Sequence, residues 1–246
     1  MALKASPESQ ALLLDLQAFD TKLAQLDHRA KSLPELATLA GFAKDAEVLR
    51  LKLAEQNGGL EDISIELKRL ESDVEVVEAR IARDSERLQG SSSVKDVSAL
   101  EQELTALRKR LGDLEEIELT VMEKLEAQQT EVDNTQAAID ALRARTAEVE
   151  ADRDATLTSI AAERSTAAAG RAEVEAKIPA DLLALYERQR SRYGTGASML
   201  RGGVSLASGV KLLENEMQAI RAAAPDDVIM CASSEAILVR TAESGL

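Results

Sequence analysis

Two long apolar heptad stripes meet at five residues, Gln89-Gly90-Ser91-Ser92-Ser93, that can continue neither of them. Back from this point, apolar side chains stand at Leu88, Ile81, Val77, Val74, Leu70, Leu67, Ile63 and Leu60, in steps of three and four broken only by Asp84. Forward from it, Val97, Leu100, Leu104, Leu107, Leu111, Leu114, Val121, Leu125, Val132, Ile139, Leu142, Val149 and Ile160 keep the same spacing. A stripe repeating every 3.5 residues demands a helical partner, and two stripes joined by a Gly/Ser turn find it in each other. The chain is therefore expected to be mainly α, a long antiparallel coiled-coil helical hairpin with its tip at about 89–96.

The first arm has a weak point. Leu12, Leu16, Phe19, Leu23, Leu26, Ala30 and Leu33 form one apolar face, which resumes after Pro34 as Leu36, Leu39, Phe42, Ala46, Leu49 and Leu53, rotated by about one residue. Proline lacks an amide donor and pushes the residue before it out of helical angles, so a kink is expected near 33–35. Asn57-Gly58-Gly59 leaves the three-four count intact and reads as a soft spot in a continuing helix, each interior Gly costing about 1 kcal/mol relative to Ala. In the second arm Glu118, Gln128, Thr135, Thr146, Arg153 and Thr156 hold seam positions, where polar groups trade stability for register.

Only 2% of residues are aromatic and there is no Trp, while 30% are charged, which suits a coiled coil with a small appendage rather than a large core. The net charge of −14 speaks against an unassisted binder of duplex DNA, which needs Lys and Arg to displace counterions. No apolar run approaches the roughly 18 residues of a membrane span, and the first residues carry no apolar signal core, so a cytoplasmic protein with no membrane partner is expected. The single cysteine, Cys231, fits a reducing compartment.

At residue 178 the heptads stop. Ile178-Pro179-Ala180-Asp181 opens a short helix through Leu182, Leu183, Leu185 and Tyr186 to about Arg192, closed by Tyr193-Gly194-Thr195-Gly196. Short β elements follow around the turn Gly202-Gly203 and at Val228-Ile229-Met230 and Ile237-Leu238-Val239, with a brief helix near Glu214 to Arg221 between them. Domains are thus expected at 1–177, the hairpin, and 178–246, the short helix with a small β domain.

This order of parts, with the Ile178 to Glu187 stretch, the Gly202-Gly203 knuckle, Ala219-Ile220-Arg221-Ala222-Ala223-Ala224-Pro225-Asp226-Asp227 and the closing Ile237-Leu238-Val239-Arg240, resembles the bacterial coiled-coil proteins with a C-terminal C4-type zinc ribbon. The resemblance implies a zinc-ribbon-like β domain with two Cys-x-x-Cys knuckles on one zinc. Here those positions hold Ser205, Ser208, Cys231 and Ser234, so three of four thiolates are alcohols. Structural zinc needs four Cys or His donors, so a metal-free ribbon with no cofactor is expected. Met199, Leu200, Val204, Leu206, Val210, Leu212, Ile229, Met230, Ile237 and Val239 are the apolar residues available to replace the metal as its centre. Cys231 is expected as a vestigial, partly buried thiol, and the lone His28 as a surface residue.

No phosphate loop, second histidine or Cys/His pair appears, so an enzyme is not expected. The leading expectation is a scaffold or adaptor that binds protein partners through hairpin and ribbon, a class that the resemblance also implies. The alternative is a nucleic-acid-binding ribbon. Its contacts would be Arg188, Arg190, Arg192, Tyr193 and Arg201, with Tyr186 and Tyr193 as stacking platforms. Residues 178–246 hold seven Lys/Arg against eight Asp/Glu, −1, leaving −13 of the −14 on the hairpin, which disfavours that alternative. The same heptads would also serve a homodimer whose helices exchange partners.

Overall fold

The computed structural model describes residues 3–246. The chain packs as two units, residues 1–34 with 152–246 and residues 35–151. The second unit is the heptad hairpin. Helix α2, Pro34–Gly90, ends at the Gly/Ser turn and α3, Val94–Glu175, begins after it. Ser93 accepts from the amides of Val97, at its carbonyl (2.9 Å), and Asp96, at its hydroxyl (3.5 Å), so it caps the returning helix. Val77, Leu100, Leu104 and Val121 are buried in the seam.

Two polar seam residues are accommodated individually. Asp84 is buried but flanked on its own helix by Arg80 (3.8 Å) and Arg87 (3.3 Å), and Arg80 reaches across to Glu103. Gln128 donates from Nε2 to the Gln56 carbonyl (2.8 Å), across the hairpin from the glycine pair. A Cβ on Gly59 would stand 3.4 Å from that amide nitrogen. The helix continues through Gly58 and Gly59, as the unbroken heptad count predicts. Further down, Leu39, Phe42, Leu53, Ile139 and Leu142 line an open cavity of about 560 Å³, and the Arg145 guanidinium covers the Phe42 ring at 5.0 Å.

The first unit joins the two ends of the sequence. Helix α1, Pro7–Lys31, is capped by the Ser6 hydroxyl, which accepts from the Ser9 amide (3.2 Å), and stops before Leu33-Pro34, where α2 begins. It runs antiparallel to the last part of α3, with Arg164 on Asp27 (2.8 Å) and Lys22 on Glu163 (3.2 Å). Phe19 lies against Gly170, where a Cβ would come within 2.6 Å of the ring. Helix α4, Ala180–Tyr193, follows Pro179 and ends at Gly194, whose φ of 83° is the left-handed cap glycine tolerates best.

Beyond α4 lies a four-stranded sheet of β1 (Ala197–Arg201), β2 (Val204–Ser205), β3 (Ile229–Met230) and β4 (Ile237–Val239), in the order β2-β1-β4-β3. The central pair is parallel, Ala197 opposite Ile237 and Met199 opposite Val239, and both outer strands are antiparallel. A parallel pair needs cover on both faces, and β4 supplies it by alternation. Ile237 and Val239 join Leu13, Leu16, Ile178, Leu182 and Tyr186 in one core. Leu238 points the other way, to Leu200, Cys231 and Leu212 with Met217 and Ile220 of α5, Glu214–Ala222.

Two expectations need correction. The boundary at 177/178 cuts through a packed unit: α1 contributes Leu13 and Leu16 to the same core as β4, and the Ala5 amide donates to the Asp226 carbonyl (2.8 Å). Burial against α1 is what lets so short a β segment hold together. Leu206 and Val210, named as core candidates, are instead half exposed, because they sit on the turn that follows β2.

Candidate functional site

Two turns of identical design carry Ser205, Ser208, Cys231 and Ser234, the four positions where the resemblance would place zinc ligands. In the first, the Ser205 amide donates to the Val210 carbonyl (3.1 Å) and the Gly209 amide to the Ser205 carbonyl (2.8 Å). In the second, the Cys231 amide donates to the Ala236 carbonyl (2.9 Å) and the Glu235 amide to the Cys231 carbonyl (2.8 Å). The fifth residue of each turn is left-handed, Gly209 at φ 67° and Glu235 at φ 56°. The two turns thus share one backbone pattern, with a single sulfur, that of Cys231, between them.

The side chains converge. Ser233 bridges the turns, its hydroxyl 3.2 Å from the Cys231 sulfur and donating to the Ser208 hydroxyl at 3.2 Å. Ser205 is wholly buried, and its Oγ and that of Ser234 have no hydrogen-bond partner among the described residues. Burial pushes the Cys231 thiol up, but the surrounding hydroxyls of Ser205, Ser233 and Ser234, with Ser233 at 3.2 Å, outweigh it and bring the thiol down to about 6. Cys231 is 1% exposed, more deeply buried than expected. One sulfur and three neutral hydroxyls do not fit zinc, since Ser208 is engaged by Ser233 and alcohols stay protonated at neutral pH. Among the described residues no group of three His, Cys, Asp or Glu side chains is placed to hold a metal ion.

The cationic residues do not form one patch. Arg190 pairs with Glu187 (2.8 Å) and Asp20 (3.4 Å), Arg201 with Glu243 (3.0 Å), and Arg192 stacks on its own neighbour Tyr193 at 5.3 Å. Arg188 has no ion-pair partner among the described residues, and Tyr193 is exposed. Tyr186 is fully buried, so it offers no stacking platform.

What Tyr186 does instead escaped the sequence reading. Its hydroxyl donates to Asp20 Oδ2 (2.7 Å), while Arg171 Nε donates to Asp20 Oδ1 (2.8 Å) and the rest of its guanidinium meets Glu175 and Glu187. Burial first, and the Asp20 carboxylate second, push the Tyr186 phenol well above its ordinary range. Arg171, hydrogen-bonded to Asp20, is held more firmly protonated still. Alongside, Gln17 Oε1 accepts from the amides of Gly196 (2.8 Å) and Ala197 (3.3 Å). A Cβ on Gly196 would come within 2.5 Å of the Tyr186 ring. Asp20, four residues after Leu16 on the buried face of α1, was the available signal. This cluster clasps α1, α3, α4 and β1 together.

No described helix is long and apolar enough to cross a membrane. The chain is 32% identical over 239 residues to the uncharacterized Mycobacterium tuberculosis protein Rv2229c, covering 97% of this chain and 98% of the relative. A solved structure from Mycobacterium smegmatis is similar at 33% identity and a TM-score of 0.87, over 97% of this chain and 100% of that one. CT398 of Chlamydia trachomatis shares the fold at 17% identity and a TM-score of 0.66, over 95% of this chain and 98% of its own. HP0958 of Helicobacter pylori does so at 13% and 0.51, over 96% and 98%. Residues 16–194 match the CT398-like coiled coil hairpin domain, and with the hairpin, its turn and its clasped base in place, the chain belongs to that family.

Proposed function

We propose that the protein is a non-enzymatic cytoplasmic adaptor that binds other proteins, with the hairpin as docking rod and the metal-free, zinc-ribbon-like sheet as a second contact surface. The observation that carries this reading is the surface of the hairpin. Leu119 and Met122 of α3 stand three apart, and both are exposed. Solvated apolar neighbours on an otherwise charged helix mark a place where another protein covers them. Residues 35–151 hold 15 Lys/Arg against 27 Asp/Glu, a net −12, so the matching partner presents apolar side chains ringed by Lys and Arg.

The nucleic-acid alternative is weakened because Tyr186 is buried and because Arg190 and Arg201 are neutralised by carboxylates. Only Arg188, Arg192 and Tyr193 remain open for it, too few phosphate contacts for more than weak binding. The adaptor reading is tested by placing a photo-crosslinking residue at Met122 in the full chain inside cells. Reproducible capture of one protein, lost in Leu119→Lys, is the expected result. Capture that Leu119→Lys leaves intact, or no captured protein, overturns it.

A further inference from the structure

Helix α2 carries a second heptad stripe. The seam uses Leu49, Leu53, Gln56, Leu60, Ile63, Leu67, Leu70, Val74 and Val77. On the side turned away from it, positions 48, 51, 55, 58, 62, 65, 69, 72 and 76 also alternate in steps of three and four. That outer row holds Val48, Leu51, Ile65 and Val76, each between 55% and 65% exposed. The neighbouring outer rows of this stretch are polar, with Arg50, Asn57, Glu61, Ser64, Lys68, Glu71 and Glu75. Between the four apolar residues of the outer row stand Glu55, Gly58, Asp62, Arg69 and Ser72, so exposed apolar side chains recur along one solvated face over about eight turns, with charged groups among them. A second helix packed on that face would cover them.

The row is self-complementary when read backwards. With a second copy antiparallel and residue numbers summing to about 124, Val48 meets Val76, Glu55 meets Arg69, and Ile65 lies over Gly58. Two-fold symmetry makes each contact twice. Gly58 is a fitting receptor, since nothing lies within 4 Å of where its Cβ would be. Glu55 and Arg69 make no ion pair within the chain, among the described residues, so both are free to pair outside it. We infer that the outward face of α2 is a docking seam for the same face of a second copy, with Ile65 seated on Gly58 and Glu55 paired with Arg69. Asp62 falls on the two-fold axis against its own copy, a repulsive contact that weakens the dimer, and Leu51 falls against the polar Ser72 and Asp73. The mutual charge of the two hairpins is damped at physiological salt, where the screening length is about 8 Å. Pairing through α2 does not depend on the hairpin recruiting a foreign protein, and it uses a different helix from Leu119 and Met122.

The test is sedimentation of the full chain across a concentration series. A monomer–dimer equilibrium is expected in the wild type. Ile65→Lys raises its dissociation constant at least about tenfold, because each dimer loses the residue twice. Asp62→Ala lowers it, and Leu119→Lys leaves it unchanged. A short thiol-reactive crosslinker joins two copies of a Val48→Cys, Val76→Cys chain through those two positions, whether or not Ile65→Lys disturbs folding. A wild type that stays monomeric at every concentration overturns the inference, as does a dimer indifferent to Ile65→Lys or crosslinks confined to single chains.

Discussion

Asp20 is the place to test whether the clasp holds the first unit together. The carboxylate is 5% exposed and takes Tyr186 Oη at 2.7 Å and Arg171 Nε at 2.8 Å. Asp20→Asn keeps the shape but removes the charge, and it turns an NH₂ group toward a guanidinium or phenol that also donates. Removing one member of a buried pair costs about 3–5 kcal/mol. Arg171 keeps Glu175 and Glu187 and is itself partly solvated, so about 2–3 kcal/mol is the better expectation. Asp27→Asn is the control, because its pair with Arg164 is of the same length but exposed and is worth at most about 1 kcal/mol. With two tyrosines and no tryptophan, a Tyr193→Phe background leaves Tyr186 as the sole fluorophore, sited within the clasp. Urea unfolding followed by its emission then reports this unit alone. If Asp20→Asn costs no more than Asp27→Asn, the clasp is ornament and the apolar core around Leu13, Leu16 and Val239 does the holding.

Other expectations follow from single sites. Gly170→Ala gains up to about 1 kcal/mol of helix propensity but drives a methyl into the Phe19 ring, an overpacking cost of about 1–3 kcal/mol; Gly112→Ala meets nothing within 4 Å and keeps the whole gain. Thermal melts should therefore move in opposite directions. The Cys231 thiol, at about 6 against an ordinary 9.0, binds fewer protons folded than unfolded between those values. Its stabilisation is fully present above pH 9 and lost as pH falls through 6, and Cys231→Ser should flatten that slope in urea titrations. Glu235→Gly relieves a left-handed φ of 56° at the second knuckle and should stabilise by up to about 1 kcal/mol, the gain being net of the extra chain entropy of glycine.

The hairpin was legible because its information is local: a three-four spacing, a Gly/Ser turn and a proline report helix, reversal and break within a few residues of one another. Leu33-Pro34 and Ser93 sit where the pattern puts them. The base was not legible, since its information is long-range. The parallel pairing of Ala197–Met199 with Ile237–Val239 joins strands some forty residues apart, and no spacing rule announces it. Asp20, Arg171 and Tyr186 each look like ordinary surface or core residues until the fold brings them within 3 Å of a common carboxylate. The ion pairs of the arginine group were hidden for the same reason, as nothing near Arg201 in sequence reveals Glu243 opposite it.

The joining of both chain ends in one unit also dictates an order of events. Helix α1 is synthesised first, but its partners, Ile160, Ile178, Tyr186, Ile237 and Val239, are synthesised last. The contiguous hairpin unit 35–151 can close on itself while the ribosome is still adding residues, whereas Leu13 and Leu16 wait uncovered until Val239 has emerged. Contacts of such sequence separation form slowly, and an apolar helix left waiting is the segment a chaperone would find. Ser6, by capping α1 from within its own first turn, keeps that helix in register through the delay.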